Sequence, residues 1–278
     1  MQVIETAAEM RRARAALKGR VALVPTMGAL HAGHMSLVKL ARARSSNTVA
    51  SLFVNPMQFG PNEDFSHYPR PRERDLEMFR DAGVNVVFAP STAEVYPPGE
   101  SARVDPGAIG TVLEGAHRPG HFTGVATVVT KLFALVRPDV AVFGEKDAQQ
   151  VRVVRGITRD LMLGVEIVAA PTVREPDGLA LSSRNVLLKP EDRAVAPVLF
   201  QALSAAKDAW QRGERRGVSL KDAARAVFAD VGQAEVEYVS AADPETLSEV
   251  DVARGPVLVS LAVRFGNVRL IDNVTLTL

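Results

Sequence analysis

The sequence predicts an α/β protein: a parallel sheet covered by helices on both faces, followed by a smaller α+β domain. Three observations carry this. Short apolar runs alternate with helical segments through the first two-thirds of the chain, the rhythm of strand–helix–strand units. These runs end in short breaks bearing glycine, proline or asparagine. The last third changes pattern, with alanine-rich helical stretches first and β-branched runs after them.

Taken in order, Thr6 to Lys18 reads as a first helix, with Thr6 and Glu9 at capping-box spacing. A strand begins at Val21, and Met35 to Ser46 places Leu37, Val38, Leu40 and Ala41 on one helical face. Val49 to Val54 is the second strand and ends at Asn55-Pro56. Pro71 to Asp81 is helical, with Leu76 and Phe79 inward, and Gly83 stops it. Val84 to Ala89 is the third strand, followed by a Pro- and Gly-rich loop from Pro90 to Gly107. Phe122 to Val136 is strongly amphipathic, Asp139 to Phe143 a fourth strand, Asp147 to Leu163 a helix and Val165 to Ala169 a fifth strand. The boundary between a Rossmann-like domain, 1–172, and a smaller domain, 173–278, falls near Ala170 to Glu175. Beyond it, Pro190 to Arg212 reads as one long helix and Ser219 to Val231 as a second, opened by Ser219 and Asp222. Val236 to Ser240, Val257 to Phe265 and Val268 to Val274 read as strands, the last two joined by a tight turn at Gly266-Asn267.

Composition narrows the function. The 278 residues are 47% hydrophobic and 23% charged, ample for sizeable cores. Thirty-three basic against 32 acidic residues create no bulk field for nucleic acid or an acidic membrane. Neither partner is expected. With no cysteine there is no disulfide framework and no thiolate metal site, which fits a reducing cytoplasm. The N-terminus does not read as a signal peptide, and no apolar run approaches the ~18 residues of a membrane helix.

The most informative stretch follows the first long strand. Val21 to Thr26 runs into Met27-Gly28-Ala29-Leu30-His31-Ala32-Gly33-His34 and then a helix, so two of the five histidines sit at a glycine-bearing strand–helix junction. Ligands of open α/β sheets bind beyond the carboxyl ends of strands, where helix N-termini hold anions. Histidines so spaced can share zinc, but neither a His-Glu-x-x-His pattern nor a cysteine supplies a further ligand. Phosphate recognition accounts for them better, because imidazole can donate to an oxyanion that gains charge in a transition state.

Gly144-Glu145-Lys146-Asp147 marks another strand–helix junction, where Lys146 supplies a point charge for phosphate oxygens. Gln150, one turn on, shares its face and suits a polar substrate. Leu181-Ser182-Ser183-Arg184-Asn185 offers two hydroxyls and a guanidinium to a polyphosphate, with a serine-rich helix cap as the equal alternative. In Asn55-Pro56-Met57-Gln58-Phe59-Gly60, Gln58 could reach the same crevice. A Gly-x-Gly-x-x-Gly fingerprint and a Walker lysine are both absent after the first strand, so a nucleotide would be bound by other means.

These stretches carry a resemblance. Pro25 to His34 resembles the His-x-Gly-His motif of the nucleotidyl-transferring superfamily. Taken with Phe53 to Phe59, Arg118-Pro119-Gly120-His121-Phe122, Gly124-Val125, Phe143 to Asp147, Leu181 to Asn185 and Arg269 to Asn273, the chain resembles the pantothenate synthetase family along essentially its whole length. The resemblance implies ATP-dependent condensation of pantoate with β-alanine to pantothenate, AMP and diphosphate through a pantoyl-adenylate. It implies that Met27 to His34, Gly144 to Asp147, Val173 and Leu181 to Arg184 bind ATP, with His31, His34, Lys146 and Arg184 catalytic. Gln58 and Gln150 would hold pantoate for in-line attack, and the smaller domain would close over the site. It also implies Mg²⁺ with the phosphates, for which Asp75 is a candidate carboxylate, and a homodimer. Two points stay open: this chain has Leu181 where the family usually has methionine, and either His117 or Arg118 could reach the site. A nucleotidyltransferase acting on a phosphorylated substrate is the alternative enzyme, and a non-catalytic nucleotide-binding module the alternative class.

Overall fold

The computed structural model describes residues 1–61 and 63–277. The chain divides into two compact units, Met1–Glu145 with Gln149–Pro171, and Lys146–Ala148 with Thr172–Leu278. Lys146 to Ala148 thus pack with the second unit although they follow directly on a strand of the first.

The first unit contains β1 (Gln2–Ile4), α1 (Ala7–Ala16), β2 (Val21–Thr26), α2 (Ala32–Arg44), β3 (Asn47–Leu52), α3 (Arg72–Asp81) and β4 (Val86–Phe88). Two one-turn helices follow, α4 (Thr92–Val95) and α5 (Glu114–His117). Then come α6 (His121–Val136), β5 (Val140–Gly144), α7 (Ala148–Asp160) and β6 (Glu166–Ala170). The six strands form one parallel sheet in the order β1-β4-β3-β2-β5-β6. Alternation explains the near-continuous apolar runs. Val21 and Leu23 face a core built with Met10, Phe122, Val125, Val129 and Val154, while Ala22 and Val24 face Leu37, Val38, Ala41 and Phe79. Helices α1, α6 and α7 therefore cover one face, and α2 and α3 the other.

The expected parallel sheet with helices on both faces is what the unit shows. β1 is an addition, since three residues paired only with β4 at the edge are too short for a periodic signal. Thr6 caps α1 as its spacing predicts, accepting from the Glu9 N–H while the Glu9 carboxylate receives the Thr6 N–H.

The second unit holds α8 (Pro190–Val195), α9 (Val198–Gln211), α10 (Gly217–Ala226), β7 (Ala234–Ala242), β8 (Val257–Phe265) and β9 (Val268–Leu276). Its antiparallel sheet, ordered β7-β8-β9, packs Val239, Leu261, Phe265 and Leu270 against Leu199, Leu203, Trp210 and Leu220. The turn at Gly266-Asn267 joins the β8–β9 pair, with Gly266 at φ +55°.

Two expectations are corrected here. The helix expected over Pro190 to Arg212 is broken into α8 and α9 at Ala196-Pro197, because proline has no N–H and its ring clashes with the carbonyl four residues back. The next helix starts at Gly217 rather than Ser219. Glu214 accepts the N–H groups of Arg215 and Arg216 and sets the entry upstream, and these bonds, that of Arg216 first, hold its carboxyl down to about 2. No helix among the described residues is long and apolar enough to cross a membrane.

Candidate active site

In the first unit the loop after β2 hangs from one carboxylate. Asp75 on α3 is fully buried and accepts the N–H of Ala29 through Oδ2 and of Leu30 through Oδ1, each at 2.8 Å. Gly28 sits at φ +88°, and a Cβ there would stand 2.8 Å from both Asp75 Oδ2 and Leu52 Cδ1, so only glycine fits. Ala29 is held at φ +51°, a region unfavourable for a residue with a Cβ, and its bond to Asp75 offsets that cost.

The chain then enters α2, with His31 as its N-cap. His31 Nδ1 accepts the Gly33 N–H at 3.2 Å, and His34 Nδ1 accepts the His31 N–H at 3.3 Å. Both rings, centroids 4.1 Å apart, thereby carry their proton on Nε2. The first turn of α2 has no acidic residue to neutralise its positive end. A helix N-terminus with two imidazole N–H donors is chemically suited to an anion.

Gln58 lies beside this loop. Its Nε2 donates to Met27 Sδ at 3.0 Å, and its Oε1 accepts from Asn55 Nδ2 at 3.1 Å. Asn55, buried, also donates to the Gly124 carbonyl and accepts from the Tyr96 hydroxyl and the Met57 N–H. Helix α6 approaches so closely that a Cβ on Gly124 would meet the Met57 carbonyl at 2.3 Å. Met27 also lines, with Leu52, Phe53, Phe65 and Asp75, a cavity of about 320 Å³ at the carboxyl ends of β3 and β4.

Of the two basic candidates, Arg118 is the one engaged next to Gln58, and His117 is exposed. The Arg118 guanidinium forks onto Glu63 at 2.8 and 2.5 Å and donates to the Gln58 carbonyl at 3.2 Å. His121 Nδ1 donates to the same carbonyl at 2.8 Å, while its Nε2 accepts from Arg118 Nη1 at 3.2 Å. Burial, and then the Arg118 charge, push the His121 pKa down to about 4, so the ring is neutral at pH 7. Burial raises the Glu63 carboxyl, but the hydrogen bonds and charge of Arg118 outweigh it and hold it below the usual range.

The remaining candidates divide between the units. In the first, Glu145 pairs with the buried Arg152, Gly144 ends β5, and Gln150 is half-buried on α7. In the second, Lys146 Nζ lies 3.9 Å from Asp147 Oδ1, with the lysine side chain one-fifth exposed. Val173 and Leu181 face each other across a hairpin closed by bonds from Leu181 N to the Val173 carbonyl and from Glu175 N to the Leu179 carbonyl. Arg193 pins this hairpin through Glu175 at 2.8 Å and Asp177 at 2.7 Å. The Ser182 hydroxyl accepts the Arg184 N–H at 3.2 Å in a turn, rather than capping the short helix Asn185–Leu187, whose cap residue Arg184 has no side-chain cap bond, and its own proton can still be donated.

Asp75, the candidate carboxylate for Mg²⁺, serves in this structure as the anchor of the loop. Each of its oxygens accepts a main-chain N–H group, and burial raises its pKa. Among the described residues no three His, Cys, Asp or Glu side chains are grouped to hold a metal. Asn55 and His121 stand in motifs quoted from the sequence without a role of their own, and Glu63 carries no sequence signal. Asp75 carried a detectable signal, since it lies four residues before Phe79 on the buried face of α3.

A parallel sheet covered on both faces, with a glycine-bearing loop and an imidazole-tipped helix at its strand ends, makes this an α/β protein with its candidate site at the carboxyl ends of the strands. The pantoate-beta-alanine ligase profile matches residues 2–275, and the chain belongs to that family. It is 55% identical over 276 residues to the pantothenate synthetase of Roseiflexus sp. (strain RS-1), covering 99% of each chain. It superposes on the crystal structure of pantothenate synthetase from Thermus thermophilus with a TM-score of 0.93, 48% identity and 99% coverage of each chain. The pantoate-beta-alanine ligase from Francisella tularensis, crystallised with beta-gamma ATP and beta-alanine, matches with a TM-score of 0.80 at 33% identity, over 99% of this chain and 97% of that one. The resemblance and the fold class read from the sequence both stand.

Proposed function

We infer that the protein condenses pantoate with β-alanine at the expense of ATP, giving pantothenate, AMP and diphosphate. The observation that carries this is the family match, which runs unbroken through residues 2–275 and includes every strand-end motif. The Francisella tularensis relative, whose crystals hold beta-gamma ATP and beta-alanine, supports ATP and β-alanine as ligands here.

Two balanced steps account for the products. A pantoate carboxylate oxygen attacks the α-phosphorus as the bond to diphosphate breaks, and the β-alanine amine then attacks the acyl carbon, losing a proton as AMP departs. His31 and His34 donate from Nε2 to ATP oxygens, and Met27 to Leu30 with Ala32 and Gly33 wrap the nucleotide. Lys146, with Gly144, Glu145 and Asp147 beside it, neutralises charge at the α-phosphate. Ser182 and Ser183 hold the β- and γ-phosphates with Arg184, while Val173 and Leu181 meet the nucleotide through main-chain groups, which makes leucine an acceptable substitute for methionine. Gln58 and Gln150 orient pantoate, so catalysis is chiefly positioning and electrostatic stabilisation.

Mg²⁺ bound with ATP would supply charge neutralisation at the phosphates. We assign the enzyme to the cytoplasm and expect a homodimer. The test is pantoate-dependent exchange of labelled pyrophosphate into ATP without β-alanine, followed by AMP release when β-alanine is added. Absence of exchange with pantoate alone would falsify the adenylate route, and exchange indifferent to pantoate would point to a nucleotidyltransferase.

A further inference from the structure

Strand β9 carries two adjacent buried polar residues, Asp272 and Asn273, 2% and 6% exposed. Each holds one segment of the second unit to which a nucleotide role is given above. Asn273 Nδ2 donates to the main-chain carbonyl of Lys146 at 2.8 Å. Asp272 takes the Arg174 guanidinium in a fork, Nη2 to Oδ1 at 2.9 Å and Nη1 to Oδ2 at 2.5 Å, and its Oδ1 also accepts the Asn273 N–H at 2.8 Å.

Arg174 passes this hold to the hairpin between Val173 and Leu181. Its Nη1 donates to the Gly178 carbonyl at 3.0 Å, closing the hairpin tip, and its guanidinium lies 4.2 Å above the Phe200 ring. Gly178, at φ +96°, passes so near that ring that a Cβ would stand 2.4 Å from Phe200 Cδ1. The hairpin is thus fixed by a charge-assisted fork below and an aromatic face beside it.

We propose that Asp272 and Asn273 are positioning residues for adenylate formation: Asn273 fixes the Lys146 backbone, and Asp272, through Arg174, fixes the hairpin that carries Val173 and Leu181. Neither need touch the reacting atoms. This rests on the ATP roles proposed for those residues. Removing Asn273 frees the carbonyl from which the lysine side chain is aimed, and misplacement of a reacting group by about 1 Å costs about 10²-fold in rate. Removing Asp272 leaves a partly buried guanidinium without its carboxylate and the hairpin without its base.

The experiment compares wild type with Asn273→Ala, Asp272→Ala and Asp272→Asn, using pantoate-dependent ATP–pyrophosphate exchange and calorimetric titration with ATP. Asn273→Ala should lower the exchange kcat by about 10–100-fold with the pantoate KM within about twofold. Placed on top of Lys146→Ala it should cost little more, because both act on one group. Asp272→Ala should weaken ATP binding at least about fivefold, and Asp272→Asn, which keeps an acceptor oxygen, should recover part of the loss. If the variants only melt at lower temperature, with exchange kcat and ATP affinity unchanged, the proposal is overturned. A wild type that binds ATP without pantoate-dependent exchange sinks the functional reading instead, and the ATP affinities of the variants then decide the positioning claim. If Asn273→Ala and Lys146→Ala lose activity independently, the Asn273 half of the proposal is wrong.

Discussion

In the first unit the loop of Gly28 to Leu30 is hung from Asp75, a carboxylate wholly out of water whose two oxygens each take a main-chain N–H. In the second unit the hairpin of Val173 to Leu181 is hung from charged side chains, and the Arg193 pairs that brace it are between a quarter and two-fifths exposed. Both segments are given nucleotide contacts, yet the Asp75 anchor and the Arg193 brace belong to different electrostatic regimes. A dry hydrogen-bonded anchor resists salt and depends on its partners being present, whereas a wet ion pair is screened and weakly stabilising. The Gly28–Leu30 loop is therefore held by a dry anchor, and the hairpin by one dry fork, Arg174 on Asp272, and one wet brace, Arg193.

The sharpest way to break that contrast is Asp75→Ala. It orphans one buried and one part-buried N–H donor, at about 1–3 kcal/mol for the buried one and less for the other, so a loss of about 3 kcal/mol is expected in urea unfolding, offset slightly by relief of a buried charge. A loss below about 1 kcal/mol would mean that the loop does not depend on its anchor.

Next in size is an effect of acid on the clamp behind Gln58. The His121 pKa is lowered to about 4 from 6.5, so the unfolded chain takes up this proton first as pH falls. Stability from this group is complete above about pH 6.5 and declines towards pH 4, by about 3 kcal/mol at most. Glu63, held below its usual range by Arg118, adds a further loss below its unfolded value of 4.5. His121→Asn, which keeps a donor for the Gln58 carbonyl but cannot titrate, should flatten the decline between pH 6.5 and about 4 measured by thermal unfolding. An unchanged pH profile would show that the ring is not the titrating group.

The smallest effect is expected at Arg193. Its replacement by alanine should cost about 1 kcal/mol or less, and the difference from wild type should shrink as NaCl is raised. A large, salt-independent loss would erase the distinction between the two anchors.

The strand-end chemistry was legible because it is local. A glycine that must turn, two histidines at a helix start and a lysine after a strand all stand in contiguous sequence. The anchors were not legible because their partners are remote: Asp75 lies 46 positions from Ala29, Arg174 lies 98 from Asp272 and Asn273 lies 127 from Lys146. An acidic residue in the first turn of a helix, as Asp75 is beside Glu73, reads as a metal ligand until its burial is known. Within the elements, the parallel core was readable from apolar runs that alternate between two faces. The break at Pro197 was overlooked because alanine-rich sequence on both sides outweighed one residue in the periodicity, although the ring's steric clash decides it.

The membership of Lys146 to Ala148 in the second unit bears on modularity. A cut after Pro171 would leave Lys146 in one fragment and Asn273, which donates to its carbonyl, in the other. Recombination or domain exchange within this family would therefore have to carry the strand containing Asp272 and Asn273 together with the turn after β5. The inheritance unit of the site is a pair of distant segments rather than a domain.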